Sequence, residues 1–209
     1  MQPKEYQLKC IEHVRRYLEA LSAKKIAYDK IRAIDPTMAG DFAQAIWTDV
    51  TGRMNYAPKK NGLGEPLPNF CLKVPTGGGK TWLAARSVAL VNTHLLRCEH
   101  SVILWLVPSK PIREQTLRAL RDRLHPYHTA LREAGSITVM DLDEAKSVTR
   151  ATLDTSTTII VATRQAFQVE DEESRKVYQS SGALMHHFDN LSPTQREGLL
   201  SEGEGAERT

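Results

Sequence analysis

Three consecutive glycines followed by Lys and Thr stand out in this 209-residue sequence, in the string Val74-Pro75-Thr76-Gly77-Gly78-Gly79-Lys80-Thr81. Glycines carry no Cβ, so Gly77, Gly78 and Gly79 can turn their backbone N–H groups inward around an anion, with Thr76 leading into the turn. A helix opening at Lys80 would add the partial positive charge of its N-terminus. In that geometry Lys80 reaches the outer phosphates of a nucleotide, and the Thr81 hydroxyl can ligate Mg²⁺. The string departs from strict G-x-x-x-x-G-K-[ST], because Val74 stands in the first glycine's place.

Two further groups of polar residues follow apolar runs. Ser109, Lys110 and Arg113 come just after Val102-Ile103-Leu104-Trp105-Leu106-Val107, and Thr163 and Gln165 close the run that starts at Thr157. Ligands collect beyond the carboxyl ends of strands in open α/β sheets, and short hydroxyl and cationic side chains there suit a phosphate backbone. The remaining candidates are weak. His125-Pro126-Tyr127-His128 and His186-His187 lack carboxylate or Cys partners at metal-ligand spacing, so structural roles are expected. Ser87, Ser109 and Cys71 show no nucleophile signature. Trp82 and Trp105 fall inside regular elements and are expected to pack in the core.

Several elements must position these residues. Ile11, Val14, Leu18 and Leu21 recur at helical spacing after Pro3, so a helix is predicted there. A second periodic stretch, 26–34, stops at Asp35-Pro36, and 39–50 is a further short helix candidate. Residues 52–68 hold three glycines and three prolines and read as a linker. Beyond it the pattern alternates. Strands are expected at 69–74, 101–107, 136–140 and 157–163, and helices at 80–97, 112–124 and 174–188. On the second of these helices Leu117, Leu120 and Leu124 would share one face. Strands separated by helices imply crossover connections and a mostly parallel sheet with helices on both faces.

Composition narrows the function classes. Hydrophobic residues at 41% and charged residues at 25% are globular values. The apolar runs are far shorter than the ~20 residues of a membrane span, and the N-terminus has no apolar signal core. Cys10, Cys71 and Cys98 lie far apart, which fits a reducing cytoplasm and argues against a disulfide scaffold. Residues 71–168 carry 13 basic against 8 acidic side chains, whereas 169–209 carry 4 against 9. A basic middle is compatible with contacting phosphates. The acidic, Gly-interrupted tail at 196–209 is expected to be disordered.

The glycine string resembles motif I of superfamily 2 helicases of the DEAD/DEAH type, in particular the N-terminal part of the helicase (Res) subunit of type III restriction enzymes. Three other stretches agree in order. Glu5-Tyr6-Gln7 resembles the Q motif; Leu104 to Leu117, with Pro108-Ser109-Lys110, resembles motif Ia; Ile159 to Phe167 resembles the next strand and its DNA-contacting turn. The resemblance implies a RecA-like P-loop ATPase domain at 69–195, preceded by a helical segment at 1–68. It implies ATP and Mg²⁺ as cofactors, Gln7 as an adenine contact, and Lys80 and Thr81 as catalytic groups. It further implies Ser109, Lys110, Arg113, Thr163 and Gln165 as DNA backbone contacts.

A motor of that kind also needs an acidic pair after a buried strand. Asp143-Glu144 imitates one, yet with the strand ending at Met140 the pair is misplaced relative to the sheet edge. In the resembling family the acidic motif follows strands of the type Thr158-Ile159-Ile160-Val161-Ala162-Thr163, so the chain is expected to stop short of it. A second RecA-like domain is also expected to be absent. Asp189, Glu197 and the tail acids read as solvated surface. The sequence thus resembles the front piece of a larger enzyme, with the rest of that helicase or a restriction–modification partner as possible associates. One alternative is a nucleotide-dependent DNA-binding or regulatory piece without turnover. An unrelated P-loop kinase fits less well, since neither an acceptor-site base nor an arginine-rich lid is evident.

Overall fold

A single long helix opens the chain. α1 runs over Glu5–Ile34, joining the two periodic stretches that the sequence suggested as separate elements. No Gly or Pro interrupts 22–26, so nothing ends the hydrogen-bond ladder between them. The computed structural model describes residues 2–35, 38–53, 55–61, 64–167 and Pro193. The helix expected at 174–188, His186-His187, Asp189, Glu197 and the 196–209 tail lie outside the described residues.

The chain divides into two compact units, 1–98 and 99–209. In the first, α1 packs Val14, Tyr17, Leu18, Leu21 and Tyr28 against Phe42, Ala43 and Ile46 of α2 (Phe42–Thr51). Leu18, Leu21 and Ala43 are sealed from solvent, and burying the two leucines contributes roughly 1.5–3 kcal/mol each. Asp41 caps α2 by accepting from the N–H groups of Ala43 and Gln44, and Gly52 ends it in the left-handed conformation. α3 (Lys80–Leu90) buries Trp82, Leu83, Ala85, Val88 and Ala89 and continues as a wider π-type segment through Leu96. The 52–68 stretch contains one isolated antiparallel bridge, Lys60 to Pro66, and no helix or strand among its described residues.

The strand expected at 69–74 does not form. Its alternation is nevertheless real. Leu72 and Val74 are half-buried, Cys71 and Lys73 are exposed, and Leu72 lies against the α1–α2 core. Phe70 meets the Tyr17 ring edge-on at 5.5 Å. Extended backbone lying on helices alternates as a strand does. Without a neighbouring strand it has no ladder to join.

Among its described residues the second unit holds a three-stranded parallel sheet in the order β1–β3–β2. Its strands are β1 (Val102–Val107), β2 (Ile137–Asp141) and β3 (Thr157–Thr163). Central β3 is the most deeply buried, with Ile159 and Val161 sealed. Edge strand β1, whose continuous apolar run suggests burial on both faces, leaves Val102, Leu104 and Leu106 about half exposed, at 56%, 50% and 49%. The connections are helical: α4 (Lys110–Arg121), α5 (Pro126–Leu131), α6 (Leu142–Ala145) and α7 (Arg150–Thr155). α4 stops three residues before Leu124, which is 92% exposed. Asp122 accepts from the Leu124 N–H and turns the chain away, so Leu124 never joins buried Leu117 and Leu120. The architecture is α/β with a parallel sheet, as expected. No helix among the described residues is long and apolar enough to cross a membrane.

Candidate functional site

The glycine string forms a tight turn directly before α3. Gly77 and Gly79 have φ of +76° and +78°, which side chains with a Cβ rarely adopt. Gly78 is buried, and its N–H donates to the Pro75 carbonyl at 3.0 Å. A Cβ there would lie 2.6 Å from Val74 Cγ1 and 2.9 Å from the Pro75 oxygen. The valine that replaces the usual first glycine thus occupies the space beside Gly78. Lys80 folds back over the turn, its Nζ donating to the carbonyls of Val74 at 3.3 Å and Pro75 at 3.2 Å. Thr81 stands half-buried in the first turn of α3.

The first turn of α1 closes on this loop. Gln7 is 1% exposed and uses both ends of its amide. Its Oε1 accepts from the Lys4 N–H at 2.8 Å, which caps α1, and its Nε2 donates to the Gly78 carbonyl at 3.1 Å. The Tyr6 hydroxyl donates to the same carbonyl at 2.8 Å. A Cβ on Gly79 would come within 2.4 Å of Gln7 Nε2, so the end of that side chain would have to shift. Gln7, Thr76, Gly77, Gly78, Gly79, Lys80 and Thr81 therefore gather in one place. Sequence reasoning missed Tyr6, because nothing local marks a contact across 72 positions.

The second group sits at the carboxyl ends of β1 and β3. Val107 pairs with Thr163 in the parallel register, which puts 108–110 beside 164–165. Gln165 Nε2 reaches back to the Pro108 carbonyl at 3.4 Å. Ser109 is the N-cap of α4, yet its hydroxyl makes no capping bond. Lys110, Arg164 and Gln165 are exposed and Arg113 is half-buried, with its Nε making no hydrogen bond. Thr163 is buried at the end of β3, at 6% exposed.

The acidic string resolves differently from an open carboxylate pair. β2 extends one residue beyond Met140, to Asp141, and that carboxylate caps α6 by accepting from the N–H groups of Asp143 and Glu144. Glu144 completes the box by accepting from the Asp141 N–H and also pairs with Arg121. Asp143 pairs with Lys146, whose ammonium holds that carboxyl below the usual range. Both histidines of the 125–128 stretch are structural. His125 Nδ1 accepts from the Tyr127 N–H, and His128 is buried with Nδ1 2.6 Å from the Leu120 carbonyl. No group of three or more metal-ligating side chains occurs among the described residues.

The Val74–Gly78 packing gives a first expected result. Gly78→Ala should weaken binding of a fluorescent ATP analogue at least about tenfold, by forcing the turn open. Val74→Ala, which removes one of the two obstacles, should restore part of the loss. Unchanged affinity in Gly78→Ala would show that the turn is not the binding element.

Residues 1–190 match the family model described as "Type III restriction enzyme, res subunit". No curated protein and no solved structure matches the chain.

Proposed function

Since the chain belongs to the family of type III restriction enzyme res subunits, we propose that it binds ATP–Mg²⁺ on the Gly77–Thr81 loop and DNA backbone at the β1 and β3 ends. Domains of this family are ATP-dependent helicase or translocase domains. The observation that carries the reading is the turn before α3, with left-handed glycines at 77 and 79, a buried Gly78 and the Lys80 ammonium folded over it. A bare backbone of this kind lets its N–H groups approach phosphate oxygens closely. In it Thr76, Gly77, Gly78 and Gly79 would offer backbone donors, Lys80 would contact the outer phosphates and Thr81 would hold Mg²⁺. The metal would supply charge neutralisation across the phosphates. Gln7 belongs to the same site through the Gly78 carbonyl. The three-stranded sheet is then part of a RecA-like domain, and DNA and the other components of a restriction–modification system are the partners expected.

Ser109, Lys110, Arg113 and Gln165, with Arg164 beside them, would contact DNA, and Thr163 would fix the strand end from which they project. Hydroxyl, amide and cationic groups of this kind bind phosphates and sugars rather than base edges. Binding should therefore be independent of sequence and sensitive to salt, with a log–log slope of about −0.9 per phosphate neutralised on duplex DNA. A fluorescence-anisotropy titration of two unrelated duplexes across a salt series tests this. Lys110→Ala should reduce the slope by about one. Affinity insensitive to salt, or strong preference for one duplex, would refute the assignment.

A second reading, nucleotide-dependent DNA binding without turnover, is favoured by one observation. Asp143 and Glu144 are both engaged in local helix capping and ion pairs.

A further inference from the structure

We propose that the 53–60 segment of the first unit is a second DNA-backbone surface, on which Arg53, Lys59 and Lys60 bind phosphates other than those held at the strand ends. The inference takes DNA as the partner from the reading above and adds a surface to it.

The charge of this segment is not neutralised. Residues 53–73 carry Arg53, Lys59, Lys60 and Lys73 against one carboxylate, Glu65. That carboxylate is already taken: Arg32 of α1 pairs with it, and Asn61 Nδ2 donates to it at 2.9 Å. Arg53, Lys59 and Lys60 are exposed and make no ion pair among the described residues. On α1 most cations are paired. Lys9 meets Glu5 at 2.7 Å, Arg16 meets Glu12 at 2.8 Å, Arg15 meets Glu12 and Glu19, and Lys25 meets Asp29. Carboxylates one helical turn away serve those cations, and none stands within 53–60.

The support beneath these side chains is fastened from both sides. Pro58 fixes the backbone just before the two lysines. The Lys59 carbonyl accepts from the Leu67 N–H at 2.8 Å, and Lys60 bridges to Pro66. Asn69 ties the preceding residues: its N–H and its Nδ2 donate to the Tyr56 hydroxyl at 3.3 and 3.1 Å, and Nδ2 also donates to the Ala57 carbonyl at 3.1 Å. The Tyr56 ring lies 5.9 Å from that of Trp47 in α2. Backbone and Tyr56 are held, while the cationic side chains are left to solvent.

A nucleic-acid backbone is the polyanion that fits. Duplex DNA presents one charge per ~1.7 Å of its axis, so flexible ammonium groups find phosphates on it without a fixed geometry. The cores of protein–protein interfaces are depleted of lysine, whereas DNA interfaces are rich in positive charge.

Duplex-DNA affinity of the full chain across a salt series tests the surface, in wild type, Lys59→Gln/Lys60→Gln, Lys110→Ala and Lys9→Gln/Arg16→Gln. Lys59→Gln/Lys60→Gln should make the log–log slope shallower by about two, one for each phosphate contact, and should weaken two unrelated duplexes equally. Its ATP affinity and unfolding midpoint should equal those of wild type. Lys9→Gln/Arg16→Gln removes the same formal charge from α1 and should leave the slope at the wild-type value. Two results overturn the inference: an unchanged slope in Lys59→Gln/Lys60→Gln, or an equal change in Lys9→Gln/Arg16→Gln, which would make the effect one of net charge. An unchanged slope in the first variant beside a shallower one in Lys110→Ala would leave the strand-end contacts standing alone. The reverse pattern would remove those contacts and keep this surface. A wild type that does not bind DNA would refute both.

Discussion

Lys80→Ala should reduce ATP affinity by about ten- to a hundredfold, the loss of one strong charge-assisted hydrogen bond. The ammonium is exposed and sits over the loop on the carbonyls of Val74 and Pro75, so its removal leaves no buried group unpaired. Fold stability without nucleotide should accordingly stay at the wild-type value. The contrast appears when ATP is added. A ligand present at a hundred times its Kd stabilises the folded state by about 2.7 kcal/mol, whereas the same concentration is only about one to ten times the Kd of Lys80→Ala and gives it about 0.4–1.4 kcal/mol, so wild type should gain clearly more in melting temperature. Lys80→Arg should not restore binding, because a planar guanidinium cannot replace a compact ammonium over a three-glycine turn. Equal affinities in wild type and Lys80→Ala would remove the phosphate loop from the argument.

The glycine string was legible because its chemistry is local: bare backbone, a cation and a hydroxyl lie within eight positions, and the structure bends them into one turn. The strands at Val102–Val107 and Thr157–Thr163 were legible because β-branched and apolar runs bounded by Pro108 and Arg164 leave few alternatives. The 69–74 segment shows the limit of that reasoning. Its alternation is identical for a strand and for extended chain lying on helices, and only a distant ladder partner distinguishes them. Exposure of Val102, Leu104 and Leu106 had the same origin, since composition does not tell an edge strand from a central one. Tyr6 escaped because its partner is 72 positions away. Asp141 could have been found. Asp followed three positions later by Glu is capping-box spacing, and it assigns Asp141 and Glu144 to the start of α6 without any structure.

That capping role sets the largest difference expected here, between binding ATP and consuming it. Domains of this family hydrolyse ATP, and hydrolysis needs one carboxylate for the metal and another for the attacking water. Asp143-Glu144 is the only adjacent acidic pair among the described residues. Its members are already held: Glu144 by the Asp141 N–H and Arg121, Asp143 by Lys146. Turnover that relied on this pair, so engaged, should be at least about 10³-fold slower than in a site with a free carboxylate pair and an arginine at the leaving phosphate; the arginine alone is worth ~10³–10⁵ in related enzymes. The measurement is DNA-stimulated phosphate release from wild type, Lys80→Ala and Glu144→Gln, beside ATP affinity for each. Lys80→Ala should lose affinity. Glu144→Gln should keep it, together with whatever slow release wild type shows, and should cost less than about 1 kcal/mol in stability, since its ion pair is solvent-exposed. Rapid release by wild type that disappears in Glu144→Gln would reverse the assignment and make Asp143-Glu144 the acidic motif of the motor.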